Sequence, residues 1–338
     1  MKVLVPLALL AGCATATPTP DVVPNVAASA ETDPVATADD AADDPAIWRN
    51  PRDPARSLVI GTDKQAGVHV YDLKGKRLSF TPAARLNNVD LRDVRGRVIV
   101  AASDRADTGV AHVALFALDT DNARLAPLGR HRAGAGEAYG MCLWRRARDG
   151  ALFGFVVMKD GRIDQVAIDL AAPAPRLTTV RSMKLASQAE GCVADDRTGM
   201  LYVAEEDVGL WRFAADPRAP VTGTPVARVD GRTLVADAEG LALAPHGRDG
   251  GWLVASSQGD NAYSLYRLPG VTYAGRFRIA GGTVDATSET DGIELALGDF
   301  GPEYPKGLFV AQDGDNAPDT QNFKYASWAK VLKALRLR

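Results

Sequence analysis

The sequence repeats itself about every fifty residues, and that period constrains the fold more than any other feature. A polar residue, mostly acidic or amide, recurs in front of a short apolar stretch. The six occurrences are Asp43-Asp44-Pro45-Ala46-Ile47-Trp48, Asn88-Val89-Asp90-Leu91, Tyr139-Gly140-Met141-Cys142-Leu143, Glu190-Gly191-Cys192-Val193, Glu239-Gly240-Leu241-Ala242-Leu243 and Asp291-Gly292-Ile293-Glu294-Leu295. Each unit continues with a second apolar run that ends near a small residue, such as Leu58-Val59-Ile60-Gly61 or Leu201-Tyr202-Val203-Ala204. A third run alternates in the first five units, as in Val68-His69-Val70-Tyr71. Runs this short, rich in Val and aromatics and parted by turns, are strands. Six such units predict an all-β chain, a six-bladed β-propeller of four-stranded blades. The sixth unit has no evident third run, so the ring is expected to close there with strands from the N-terminal side. A β-sandwich is the alternative, but it needs no such regular anchors. Beyond Ser327, Trp328, Val331, Leu332 and Leu335 fall at helical spacing and predict a short C-terminal helix on the barrel rim. A membrane-surface helix using Lys330, Lys333, Arg336 and Arg338 is the weaker reading.

The N-terminus reads as an address. Met1-Lys2 precedes the apolar run Val3 to Leu10, and Ala11-Gly12-Cys13 follows. Leu10-Ala11-Gly12-Cys13 looks like a bacterial lipobox, which implies cleavage before Cys13 and a lipid on its thiol. A plain signal peptide with an incidental Cys is the alternative. The expected division is a lipoprotein signal peptide over 1–12, a flexible tether over 13–38 and the propeller over 39–338. The chain would be exported, and then either lipid-anchored in the outer membrane or periplasm, or secreted. Membrane contact is expected only through Cys13, and a monomer is expected.

Charge is informative by position rather than in total. Among 338 residues, 39 Lys and Arg oppose 42 Asp and Glu, a net charge of −3 that gives no footprint for nucleic acid. Inner propeller strands converge on a central channel, so the anchors should crowd its mouth. Carboxylates dominate there: Asp39, Asp40, Asp43, Asp44, Glu190, Glu205, Glu206, Asp207, Asp237, Glu239 and Asp291. Two like charges about 4 Å apart repel by roughly 4 kcal/mol at an effective dielectric near 20. Such a cluster needs cations or shared protons. Oxygen ligands without paired His or Cys point to Ca²⁺ rather than Zn²⁺. Any single Asp could instead be capping a blade turn. Lys64, Arg105 and Lys159 each follow a second run and should lie near the same rim, suiting an anion bridged by metal. Taken singly, each could be an ordinary surface base.

Other chemistries lack their signatures. The four His show no metallopeptidase spacing, and no nucleophile elbow or phosphate-binding glycine loop is present. Cys142 and Arg148 fit a Cys-x₅-Arg spacing, but the Cys lies in an expected strand and the loop lacks its His and Gly. Cys142 and Cys192 occupy equivalent places in neighbouring units. A disulfide between them is expected in an oxidising compartment, two buried thiols being the alternative.

These motifs resemble the β-propeller (alkaline) phytases. The resemblance rests on Asp40-Ala41-Ala42-Asp43-Asp44-Pro45-Ala46-Ile47-Trp48, Arg85-Leu86-Asn87-Asn88-Val89-Asp90-Leu91, Glu190-Gly191-Cys192-Val193-Ala194-Asp195-Asp196, Ala204-Glu205-Glu206-Asp207, Ala236-Asp237-Ala238-Glu239-Gly240-Leu241, Ala255-Ser256-Ser257-Gln258-Gly259, Thr287-Ser288-Glu289-Thr290-Asp291-Gly292 and Gly307-Leu308-Phe309-Val310-Ala311-Gln312-Asp313-Gly314, followed by Gln321-Asn322-Phe323-Lys324. It implies a phosphomonoesterase of the 3-phytase type that needs several Ca²⁺ ions. The implied substrate is myo-inositol hexakisphosphate, taken as its calcium complex and attacked by a calcium-polarised water at neutral to alkaline pH. It implies calcium ligands at Asp43, Glu190, Glu206, Asp237 and Glu239, phosphate contact at Tyr139, and phosphate-binding bases at Lys64, Arg105 and Lys159. Asp44, Gln258, Asp291, Asp313 and Asn316 are further implied calcium positions. The stretch from Asp313 to Asp319 is shorter than the family pattern, and Cys142 and Cys192 replace other residues of Bacillus-type members. Two rival classes are a calcium-dependent propeller lactonase and a non-catalytic binding propeller. Neither needs three rim bases beside so many carboxylates.

Overall fold

The computed structural model describes residues 23–337, apart from 84, 172 and 173. The expected signal peptide and Cys13 lie outside the described residues. Six sheets stand around a channel. Blade one is Ala42–Trp48, Leu58–Asp63, Gly67–Tyr71 and Arg77–Pro82; blade two is Leu86–Val94, Arg97–Asp104, Val110–Asp119 and Arg124–Ala135. Blade three is Ala138–Arg145, Leu152–Met158, Arg162–Asp169 and Arg176–Lys184; blade four is Ala189–Asp195, Met200–Glu205, Gly209–Ala214 and Thr224–Arg228. Blade five is Ala238–His246, Gly250–Ser257, Ala262–Leu268 and Thr272–Ala280. Blade six has Ile293–Leu297, Gly307–Asp313 and Asn322–Ser327, and takes its fourth strand from Ala30–Glu31.

That last pairing closes the ring from the N-terminal side and corrects the expected tether. Ala30 and Glu31 pair antiparallel with Tyr325 and Lys324. Asn25–Ala27 adds a parallel strand at the outer edge of blade five, opposite Arg278 to Ala280. Val26, Ala28, Thr32 and Val35 are buried. Composition hid this because a short Ala-, Thr- and Pro-rich stretch has no period of its own. Its partner strands supply the order.

The core is six separate hydrophobic clusters, one between each pair of neighbouring blades. Strand alternation produces this arrangement. Val98, Val100 and Ala102 of blade two face blade one, while Ile99 and Ala101 face blade three. A strand buried on both faces must be apolar throughout, which is why the second runs read as continuous Val and Ile. The expected disulfide is present: Cys142 and Cys192 are bonded within the cluster between blades three and four. Trp328–Ala334 forms the expected helix and inserts Trp328 and Val331 into the cluster between blades five and six.

Two local devices aim the anchors at the channel. In blades one to five the innermost strand carries a bulge at its anchor, as between Ala42 and Pro45 or Ala189 and Cys192. A bulge breaks the alternation and turns a side chain out of the ladder. The glycine after Tyr139, Glu190, Glu239 and Asp291 then lets adjacent innermost strands touch. A Cβ on Gly191 would lie 2.2 Å from the Glu239 carbonyl oxygen, and one on Gly292 would lie 2.5 Å from that of Asp43. Gly240 N–H donates to the Asp291 carbonyl at 2.7 Å, and Gly292 N–H to that of Asp43 at 3.0 Å. The acid-glycine motif is therefore a packing motif that brings carboxylates of different blades together.

Candidate active site

At one end of the channel lies a polar cavity of about 540 Å³. Its walls include Asp40, Lys64, Tyr139, Glu206, Asp237, Glu239, Gln258 and Asp291. A second row of side chains joins the anchors, from the residue that directly follows the second strand of each blade. These residues are Lys64, Arg105, Lys159, Glu206, Gln258 and Gly314. Their backbone N–H groups make the same bond in every blade, to the carbonyls of Ala41, Arg85, Glu137, Gln188, Asp237 and Ser288 respectively. One backbone position is thus used six times. Bases fill it in blades one to three, while an acid and an amide fill it in blades four and five.

The acidic side is tightly drawn. Carboxylate oxygens of Glu190, Glu206 and Glu239 lie within 4.8 Å of one another, and all three residues are buried. Glu206 Oε1, Glu239 Oε2 and Asp43 Oδ2 are buried without a hydrogen-bond donor. Burial, then the charges of Asp43 and Asp291, pushes the Glu190 pKa well above the carboxylate range. Burial and Glu190 do the same to Glu239. Burial raises Asp43 to about 6 against the opposing pull of Lys64, and raises Glu206 to about 7. Asp237 rises through burial and the neighbouring Asp207.

Lys64 is the internal counter-ion of this cluster. Its Nζ lies 2.6 Å from Asp40, 2.9 Å from Asp291 and 3.1 Å from Asp43. Burial opposes its charge, but Asp43, Asp291 and Asp40 outweigh that and raise its pKa. Gln258 Nε2 donates to the other Asp291 oxygen at 2.7 Å. Across the mouth, Arg105 lies 4.8 Å and Lys159 5.2 Å from the centre of the Tyr139 ring. Burial, followed by Glu190, Glu239 and Glu206, raises the Tyr139 pKa, so its hydroxyl stays protonated and can donate.

A sequence model of the phytase family matches residues 3–337. The chain belongs to the phytase family. It is 42% identical over 327 residues to the 3-phytase of Bacillus subtilis (strain 168), an alignment covering 92% of this chain and 85% of that protein. A chain in the crystal structure of the mitotic checkpoint complex shares the fold alone, with a TM-score of 0.50 and 12% identity over 96% of this chain and 98% of that one.

Within this phytase-family propeller, the structure brings Asp43, Lys64, Tyr139, Glu190, Glu206, Asp237, Glu239, Gln258 and Asp291 to one mouth, with Arg105 and Lys159 against Tyr139. Other residues lie elsewhere. Glu205, expected at the mouth, points away from it: its carboxylate accepts from Ser187 N, Ser187 Oγ and Trp211 Nε1, each at 2.7 Å. The reason is alternation, since Glu205 ends the strand and Glu206 follows it. Asp313 occupies the equivalent strand end in blade six. It sits 3.2 Å from Lys324 Nζ, and Asn316 Oδ1 accepts from the same ammonium at 2.8 Å. Asp44 lies beside the channel, where its Oδ2 accepts from Val89 N at 2.9 Å and its pKa is raised by burial and by Asp43. Sequence reasoning did not single out Asn87, Glu137 or Gln188. Alignment of the six post-strand positions would have found the carbonyls of Glu137 and Gln188 as repeat partners.

Proposed function

We propose that this chain is a calcium-dependent phosphomonoesterase that hydrolyses myo-inositol hexakisphosphate to lower inositol phosphates and inorganic phosphate. The observation that carries the reading is one mouth holding the Glu190–Glu206–Glu239 cluster together with Lys64 among the acids and Arg105 and Lys159 against Tyr139. The family membership and the 3-phytase relative support the substrate and removal of the 3-phosphate.

The residues fit calcium. Asp43 Oδ2, Glu206 Oε1 and Glu239 Oε2 are buried without donors, the cluster is built of carboxylates, and among the described residues no His or Cys lines the cavity. Asp43, Glu190, Glu206, Asp237 and Glu239 would hold the ions. Bound calcium would neutralise the acids, polarise water and draw in a polyphosphate. Lys64, Arg105 and Lys159 would offset charge on the phosphoryl oxygens as the ester bond breaks. The protonated Tyr139 hydroxyl supplies a donor between the acidic and basic walls. Among the described residues no Ser, Thr, Cys or His lines the cavity, which supports attack by water without a phospho-enzyme. Three bases facing the carboxylates favour a phosphate ester over a lactone.

Export and lipid attachment at Cys13 belong to the same reading, supported by Leu10-Ala11-Gly12-Cys13 and by a disulfide suited to an oxidising compartment. The decisive assay is phosphate release from inositol hexakisphosphate with calcium and with chelator. Release only with calcium is expected. No release with calcium present would refute the reading.

A further inference from the structure

Asn87 is fully buried at the anchor bulge of blade two. Its Nδ2 donates to Glu190 Oε1 at 2.7 Å, and its Oδ1 accepts from Arg105 Nη1 at 3.0 Å. The first bond reaches from blade two to blade four, past the intervening blade three. The second holds the guanidinium that lies over Tyr139. On its other edge Arg105 donates through Nε to Glu137 Oε1 at 2.9 Å. A line of bonds therefore runs Glu137, Arg105, Asn87, Glu190, from the basic wall to the acidic one.

The residue type follows from the two neighbours. A side chain here must accept from a guanidinium and donate to a carboxylate while carrying no charge in a buried place. Ser could make both bonds only with a longer reach. Asp would set a like charge against Glu190. Leu would leave both partners unpaired, which burial makes costly. Asn supplies both bonds at once and restrains rotation of the Glu190 carboxylate.

We propose that Asn87 is a positioning residue that couples calcium ligation at Glu190 to phosphate capture at Arg105. The inference rests on the proposed function and adds to it a residue that touches neither reacting atom. Partners that orient metal ligands typically change metal affinity or activity about 10–100-fold when removed.

The test uses the full chain with Asn87→Ala and with Asn87→Leu, which keeps the branched shape. Calorimetric titration with calcium alone, without substrate, reads the Glu190 arm. The KM and kcat for inositol hexakisphosphate at saturating calcium read the Arg105 arm. Calcium affinity at the mouth should fall about tenfold or more. KM should rise more than kcat falls, with the thermal midpoint in excess calcium preserved. Calcium affinity within twofold of wild type in a folded variant would overturn the proposal. Failure of both variants to fold would also overturn it, by showing a packing role. Wild type runs in parallel: no phosphate release by wild type defeats the functional reading, whereas normal calcium binding by the variants defeats only the role of Asn87.

Discussion

Replacing Lys64 by Met separates the electrostatics of the mouth from its packing, because Met keeps the length of the chain and removes only the ammonium. Lys64 contacts three carboxylates, and their exposures decide the magnitude. Asp40 is 74% exposed, so that contact is worth less than about 1 kcal/mol. Asp43 and Asp291 are 1% and 18% exposed and lie 3.1 and 2.9 Å away. Removing one partner of a buried pair costs about 3–5 kcal/mol, because the remaining charge is left uncompensated. In the calcium-free protein at pH 8, Lys64→Met should therefore lower unfolding stability by about 3–5 kcal/mol. With calcium saturating, bound cations take over the neutralisation, and the loss should shrink to a small part of that value. Two further signs follow. Calcium should bind more tightly to the variant, because the competing ammonium is gone. KM for inositol hexakisphosphate should rise if Lys64 is the phosphate-binding base proposed above. Denaturant unfolding with chelator and with calcium, together with calcium calorimetry, reads these effects. An equal loss with and without calcium, or unchanged calcium affinity, would refute the account of Lys64 as internal counter-ion.

Three further outcomes are expected. Asp43 and Glu206 have folded pKa values raised to about 6 and about 7, so their contribution to stability is present below about pH 4 and is lost as pH rises through those values. The chelated protein should therefore lose stability from pH 5 to pH 8 and the calcium-loaded protein should not, as thermal midpoints across that range will show. The Cys142–Cys192 disulfide spans 50 residues, and closing a loop of that length restrains the unfolded chain by about 4 kcal/mol; the double variant Cys142→Ser/Cys192→Ser should lose stability of that order in denaturant unfolding. Gly191→Ala would place a Cβ 2.2 Å from the Glu239 carbonyl oxygen, so it should destabilise by about 1–3 kcal/mol and weaken calcium binding by parting Glu190 from Glu239, and unchanged calorimetry would contradict the packing role of the acid-glycine motif.

Much of this architecture is legible in the sequence because a repeat reports the same environment six times. The anchors from Asp43 to Asp291 mark the innermost strands, and the equivalence of Cys142 and Cys192 places both in one interface between blades. The sixth unit does have a third strand, Asn322–Ser327, which the buried Lys324 keeps from reading as an apolar run, and only its fourth strand comes from the N-terminal side. The segment itself is not legible: Asn25–Ala27 and Ala30–Glu31 are too short to carry a period, and their order comes from Arg278 and Tyr325. Side-chain direction next to a bulge is hidden for a related reason. Glu205 and Glu206 are chemically alike, but one ends a strand and faces Trp211 while the other follows it and faces Glu239. The same parity sends Asp313 to Lys324. Asn87 escaped notice because its role lies in two long-range partners, Arg105 and Glu190, that no local pattern connects.

We infer that the buried carboxylates of this mouth are a calcium site built to receive a polyphosphate. Anomalous diffraction from crystals grown in calcium tests it most directly. Cation peaks bounded by Glu190, Glu206 and Glu239 are expected, and so is their loss in Glu239→Gln crystals. A mouth without such peaks, with Lys64 still paired to Asp43 and Asp291 at saturating calcium, would contradict it.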